Sequence, residues 1–361
     1  MKRVKENSLH TDKLCSGGIE RHRYKKILFL TVGCINYDCD INFYEPLKQI
    51  FSNVINYNYI ERIKQIGAES MNAEIIETVR KEKPDYVLLH TYQDQVEMKT
   101  LETIGTLGTK VIAWFSDDHW RFEDYSRIVA GHVFCSVTTD KHSVEKYAKL
   151  GLNVIKSQWA SNQNYYKKID SNFAYNVTFI GGGHGKRLEN LLYLKNRAVP
   201  ITAFGRGFGK FVEFDDMIKI FNASKINLNF CGSSRNDGIK QIKGRVFEVP
   251  MCGGFLLTEY ADGLEEYYQI GKEIECFENI AEAVEKISYY LKNDDKRMEI
   301  ANCGYNRALK EHTWVKRLSA MFDELDGMQS EQPQIGCTFS HQERKTNEPS
   351  GISHSAGESP R

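Results

Sequence analysis

Residues 239–263 read IKQIKGRVFEVPMCGGFLLTEYADG, and this stretch constrains the fold most tightly. VFEVPMC is apolar with one acid inside it. Pro250 argues against an undisturbed helix through its middle, although it fits a first turn. Gly253 and Gly254 follow, and then FLLTEY, an apolar run bounded by turn signals that reads as a short buried strand. The predicted order is helix, Gly-Gly turn, strand, loop. In an open parallel sheet, ligands bind at the carboxyl ends of strands and near helix N-termini. Thr258, Glu259 and Tyr260 are therefore expected at such an edge, with Lys243 and Arg245 bringing positive charge just ahead of the helix. Glu248 has two readings. It is a helix-surface carboxylate paired with Arg245 at i,i+3, or an acid on an apolar face that must meet a partner or ligand. The apolar setting favours the second.

The rest of the chain repeats strand, loop and helix. KKILFLTVG (25–33) is a continuous apolar run, as a buried parallel strand requires, and FYEPLKQIF is a helix with Pro46 near its start. Residues 66–82 form an amphipathic helix. Strands follow at Tyr86–Leu89, at 110–115 and in HVFCSVTTD, with helices at 100–107 and in KHSVEKYAKLG, where Gly151 is the C′ residue. NVIKSQWA adds a short strand. Polar residues converge at four strand ends: Gly33, His90, Asp117–His119 and Thr138–Asp140. The motif SDDHW, with Asp117, Asp118 and His119, is a helix N-cap with acids complementing the dipole, or part of a site. A lone His90 after a strand is more often structural.

Residues 160–174 have no clear period and read as an interdomain linker, after which NVTFIGG (176–182) restarts the pattern. GGGHGKRLENLLYLKN offers a Gly-rich turn opening a helix. Gly182, Gly183, Lys186 and Arg187 there form either a tight turn with a solvated basic tip or a phosphate cradle of backbone N–H groups, helix dipole and guanidinium fork. The spacing is neither that of a P-loop nor that of a dinucleotide fingerprint. Strands follow at 199–205 and in KINLNF, a helix in FDDMIKIFNAS, and a polar loop at 231–244. Of the last segments, GLEEYYQIGKEIECF gives helix, turn and strand, and ENIAEAVEKISYYL, KNDDKRMEIANCGYNRALKEH and HTWVKRLSAMFDELD give three further helices.

Composition narrows the function classes. The chain has 361 residues, 41% hydrophobic and 12% aromatic, enough for two domains with cores of their own. Lys plus Arg equals Asp plus Glu at 48 each, so there is no bulk charge for nucleic acid or for strong membrane attachment; peripheral membrane contact stays open. The nine cysteines are odd in number and contain no CxxC pair, which fits reduced thiols in a cytoplasmic protein and no zinc site. The polar N-terminus lacks a secretory signal, and no apolar run reaches the length of a membrane span. The expected division is a flexible leader at 1–23, an N-terminal domain at 24–159, the linker, a C-terminal domain at 175–326 and a disordered tail at 327–361.

KGRVFEVPMCGGFLLTEYADGLEEYY, GKEIECF, YYLKNDDKRMEIANCGYNRALKEHTWVKRL and INLNF together resemble the C-terminal half of nucleotide-sugar glycosyltransferases of the GT-B fold. The spore-maturation (CgeB) subgroup is the most similar. The resemblance runs from Lys243 to about Leu318 and, more weakly, back to Tyr175. It implies an α/β fold of two doubly wound Rossmann-like domains facing each other across a cleft. The donor, a nucleoside-diphosphate sugar, is then expected on the C-terminal domain and a hydroxyl-bearing acceptor on the N-terminal one. Neither a metal nor a further cofactor is implied. By the same resemblance Lys243, Arg245, Lys186 and Arg187 contact the diphosphate, with Gly182 and Gly183 in the loop approaching it. Glu248 would contact the ribose hydroxyls, and Thr258 and Glu259 stand at the strand end. Asp117, Asp118 and His119 lie on the acceptor side, one of them a base. Glu248 matches the second acid of the E-seven-residues-E pattern of group 1 glycosyltransferases, but Lys240 stands where the first belongs. That departure leaves retention or inversion open. It also supports an alternative, a non-catalytic member that binds a nucleotide sugar or glycan. A periplasmic-type binding protein and an NAD-dependent oxidoreductase are disfavoured by the missing signal and the failed glycine fingerprint.

Overall fold

The computed structural model describes residues 20–33, 40–209, 211–233, 235–236 and 238–328. The leader up to residue 19 and the tail from residue 329 lie outside them. The chain builds two sheets. The first has six strands in the order β2-β1-β3-β4-β5-β6, from β1 (Lys26–Thr31), β2 (Asn53–Asn58), β3 (Tyr86–His90), β4 (Lys110–Phe115), β5 (Cys135–Thr138) and β6 (Val154–Lys156). The second has five in the order β11-β10-β9-β7-β8, from β7 (Tyr175–Ile180), β8 (Ile201–Phe204), β9 (Ser224–Asn229), β10 (Leu256–Glu259) and β11 (Glu275–Phe277). Every pairing is parallel. Parallel strands buried on both faces need helices on both, and each sheet accordingly separates two apolar clusters. Strand order reverses between β1 and β3 in the first sheet and between β7 and β9 in the second. Such switch points leave a crevice at the carboxyl edge.

Sequence reasoning missed β2 and the helix Tyr59–Ile66 behind it. β2 is an edge strand with no buried residue, so the apolar signal is weak. The helix expected at 66–82 begins at Ala68, because Gly67 at φ 81° breaks it from its predecessor. Pro250 lies in the last turn of the helix Arg245–Met251, not in its first.

The largest departure is at the end of the chain. The helix Trp314–Gly327 carries Trp314, Leu318, Met321, Phe322 and Leu325 on one face, and that face is buried against the first sheet rather than the second. Phe322 meets Phe51 and Tyr86 at centroid distances of 4.8 and 5.2 Å. Residues 20–23, expected within the leader, dock there too: His22 is fully buried and shares a 3.0 Å hydrogen bond with Asp323. The chain thus crosses between the sheets twice, and the crossings are tied together. Ser161 N–H donates to the His312 carbonyl at 3.0 Å, and Trp314 N–H donates to that of Ser161 at 3.1 Å. No helix among the described residues is long and apolar enough to cross a membrane.

Candidate active site between the two sheets

The site forms where the carboxyl edges of the sheets face each other. On the second sheet, the Gly-rich loop after β7 is locked to the loop after β8. Gly181 N–H donates to the Phe204 carbonyl at 3.0 Å and Gly183 N–H to that of Arg206 at 2.8 Å. A Cβ on Gly205, at φ 114°, would sit 2.4 Å from the Gly181 oxygen, so the close approach requires glycine. Arg187 turns back over this loop. It donates to the carbonyls of Gly182 at 3.2 Å, Phe230 at 3.3 Å and Gly232 at 3.4 Å, bracing the ends of β7 and β9. Lys186 is exposed at the helix start and lies outside the cavity that Arg187 lines.

That cavity holds about 230 Å³ and is lined by Arg187, Asn229, Lys243, Arg245 and Glu248, among others. Lys243 is strongly perturbed there. Burial, and then the neighbouring Arg187 guanidinium, push its ammonium down to about 8, while Cys231 and Asp117 oppose the shift. Glu248, 5% exposed, is ion-paired with Arg245. The i,i+3 reading of that pair therefore holds, and both residues also line the cavity.

Two expected strand-end residues are engaged elsewhere. Thr258 is wholly buried between β9 and β11, and its hydroxyl accepts from Asn229 Nδ2 at 2.9 Å. Glu259 accepts the Cys231 N–H at 2.9 Å and pairs with Lys240 at 3.3 Å. It clamps the 231–240 loop and lies outside the cavity.

On the first sheet, Asp117, Asp118 and His119 point in different directions. Asp118 is fully buried; its carboxylate accepts from the Tyr147 hydroxyl at 2.9 Å, and burial pushes it up to about 6. Asp117 is at the N-cap position of the helix Asp118–Arg121 without capping it through its side chain, and its charge acts on both Lys243 and His119. His119 lines the cleft, with Nε2 3.8 Å from Asp140 Oδ1. Burial lowers its pKa, with Asp140 opposing and Lys243 reinforcing. Neutral imidazole is thereby favoured.

Asp140 was legible only as a polar strand end. It also caps the helix Lys141–Lys149 by accepting the His142 N–H at 3.2 Å. Across the cleft, Asp262 pairs with Lys141 at 2.6 Å and His142 at 2.7 Å, and Lys156 pairs with Glu266. These contacts between the two halves are absent from any sequence-local pattern. Among the described residues no group of three or more His, Cys, Asp and Glu side chains is arranged to hold a metal ion.

Two Rossmann-like sheets opposed across a cleft, with the polar groups at their facing carboxyl edges, define a protein of the GT-B fold. Within that class, residues 176–323 match the family described as glycosyl transferase-like. HepE of Anabaena, solved with UDP and glucose, superimposes with a TM-score of 0.61 at 14% identity, covering 84% of this chain and 100% of that one. A glycosyltransferase of Rickettsia africae gives 0.57 at 11% identity over 85% and 100%. A UDP-N-acetylglucosamine 2-epimerase gives 0.53 at 9% identity over 86% and 99%. At these identities the likeness is one of fold. None of the curated proteins matches the chain.

Proposed function

We propose that this protein transfers a sugar from a nucleoside-diphosphate sugar to a hydroxyl-bearing acceptor. The observation that carries the proposal is Lys243. It is a desolvated cation beside Arg187 on the second sheet, and it is coupled across the cleft to Asp117 and His119. A diphosphate leaving group gathers negative charge as the glycosidic bond breaks. Fixed cations in a water-poor site stabilise that charge most effectively. Lys243 and Arg245 supply direct charge, while Arg187 braces the loop and adds to the potential. These cations take the part a divalent ion would play, which supports a metal-independent reaction. Glu248 fits the ribose hydroxyls through whichever oxygen Arg245 does not engage. The cavity of about 230 Å³ is smaller than the roughly 300–1,000 Å³ of a whole small-molecule site. It suits the diphosphate and the two sugars that flank it, with the nucleobase running along the open cleft.

On the opposite edge, His119 is the base candidate. Kept neutral by burial and flanked by Asp140, it can take the proton of an acceptor hydroxyl if the reaction inverts. Asp117 supports it electrostatically. Asp118, sequestered against Tyr147, is assigned to structure. The glycosyl transferase-like match and the complexes of HepE with UDP and glucose favour the same reading. A cytoplasmic location and affinity with the spore-maturation subgroup belong to this proposal as well.

One observation favours a second reading. Lys240, where the related pattern carries an acid, is committed to Glu259, as in a member that binds a nucleotide sugar without turning it over. The epimerase likeness also warns that this fold hosts other sugar chemistry. Thermal shift against UDP, GDP, dTDP, CMP and NAD, followed by donor turnover in EDTA, separates the readings. One nucleoside diphosphate should raise the melting temperature, as a ligand of the native state must, and its sugar conjugate should be consumed. Binding without consumption, with any acceptor offered, would favour the second reading. No shift with any nucleotide would sink both.

A further inference from the structure

We infer that Lys141 and His142 are an anion-binding pair on the first sheet's edge, filled in this structure by Asp262 of the other half, and that the acceptor carries a carboxylate or phosphate that takes its place; this rests on the transfer reading above. The pair already holds a carboxylate. Lys141 Nζ lies 2.6 Å from Asp262 Oδ1, and His142 Nε2 lies 2.7 Å from Asp262 Oδ2. One carboxylate is therefore within reach of both donors at once. A carboxylate only accepts, so the imidazole presents N–H on that side. The Lys141 hydrogen bond holds the Asp262 carboxyl below its usual value against burial, and His142 adds to it. None of the three is sealed from solvent: the side chains of Lys141, His142 and Asp262 are 33%, 67% and 53% exposed. A ligand arriving from outside can reach the place that the Asp262 carboxylate fills.

The surroundings give that place to the acceptor. Lys141 and His142 open the helix that follows β5, and they line one cavity with His119, the base candidate. That cavity holds about 70 Å³, against the roughly 300–1,000 Å³ of a small-molecule site. An acceptor cannot lie beside His119 until Asp262 withdraws. Charge is divided between the two walls. The first-sheet wall supplies the donors Lys141, His142 and Lys156, whereas their carboxylates, Asp262 and Glu266, come from the segment after β10. Asp140, the acid on the first-sheet wall, is turned to the helix start, where it accepts the His142 N–H at 3.2 Å and the Ser143 hydroxyl at 2.7 Å. Parting the walls therefore leaves the acceptor side basic, and an anionic acceptor brings the missing counter-charge with it. The exchange is easily made, because exposed ion pairs contribute little to the fold. Asp262 acts as a tethered competitor whose effective concentration a free ligand must overcome.

The test titrates glucose, glucuronate and glucose 6-phosphate calorimetrically into wild type, Asp262→Asn and the double variant Asp262→Asn with Lys141→Met, and titrates UDP, GDP and dTDP into wild type. Melting temperatures monitor folding. Asp262→Asn should bind at least one anionic sugar about tenfold more tightly than wild type does, the effect of freeing a charge-assisted donor, with glucose unchanged within about twofold. The anion that gains more tells carboxylate from phosphate. Adding Lys141→Met should abolish the gain. An equal gain for glucose would make the segment a steric block alone and overturn the anion pair. No gain for either anion, or a gain that survives Lys141→Met, overturns it too, and these outcomes leave the transfer reading standing. If wild type binds none of the three nucleotides, the transfer reading falls, and the assignment to the acceptor falls with it. Should Asp262→Asn fail to fold, Asp262→Ser takes its place with the same expectation.

Discussion

The two sheets share a parallel, doubly wound design and the same kind of crevice at their switch points, yet the edges they turn toward each other differ in chemistry. The first sheet presents Asp117, His119 and Asp140, with His119 held neutral by burial. The second presents Lys243, Arg187 and Arg245, with one acid, Glu248, tied to Arg245. On the transfer reading proposed above, one edge would handle a proton and the other a leaving group's charge. The lesson is that the fold supplies position and the few residues past each strand end supply chemistry, which is how one architecture serves transferases and an epimerase alike. The contrast also extends to how each edge is buttressed. Cations on the second edge are braced by backbone carbonyls and one carboxylate; the histidine on the first is backed by a helix-capping acid.

The contrast can be broken most sharply at Lys243. Lys243→Ala should lower turnover roughly 100-fold or more. The melting temperature should not fall, because a desolvated cation beside Arg187 does not stabilise the fold. Arg245→Ala behaves differently: it strands Glu248 as a buried carboxylate, so stability falls along with turnover. Adding Glu248→Gln should restore the melting temperature but not the rate. A fall in both measures for Lys243→Ala would make that lysine structural.

On the other edge, His119→Ala should cost about 100-fold in turnover while leaving the dissociation constant of the nucleoside diphosphate within twofold, measured by titration. If the variant instead weakens the nucleotide, the division of labour between the edges is wrong.

The smallest effect expected is on pH dependence. On the transfer reading, Lys243 holds the diphosphate in its protonated form, and burial has brought its pKa down to about 8. Nucleotide affinity should therefore be level just below pH 8 and decline above it, by up to about tenfold per unit. The decline should disappear in Lys243→Met. An unchanged slope in that variant would assign the titration to another group.

Much of this was legible in the chain alone. Short apolar runs such as ILFLT and VIAWF, alternating with amphipathic helices, have only one economical solution, a parallel sheet covered on both faces, and each lies where it was expected. The pairing of Arg245 with Glu248 was readable from their spacing. By contrast, β2 was missed because an edge strand buries too little to leave an apolar mark. Thr258 was placed at a ligand edge, but neighbours on both sides seal it inside the sheet.

The remaining decisions belonged to tertiary structure. Asp118 and His119 are adjacent in sequence, and composition cannot rank them. A helix turns by about 100° per residue, so one carboxylate is carried into the core against Tyr147 while the next side chain faces the cleft. The amphipathic face of residues 314–327 announced that the helix needed a partner, not which one; the first sheet had an uncovered apolar face, and the helix went there. Local pattern determines what each segment must bury, because burial follows from side-chain period. Which surfaces meet depends on shape and on contacts far apart in the chain, such as Lys141 with Asp262, and only the folded molecule brings those together.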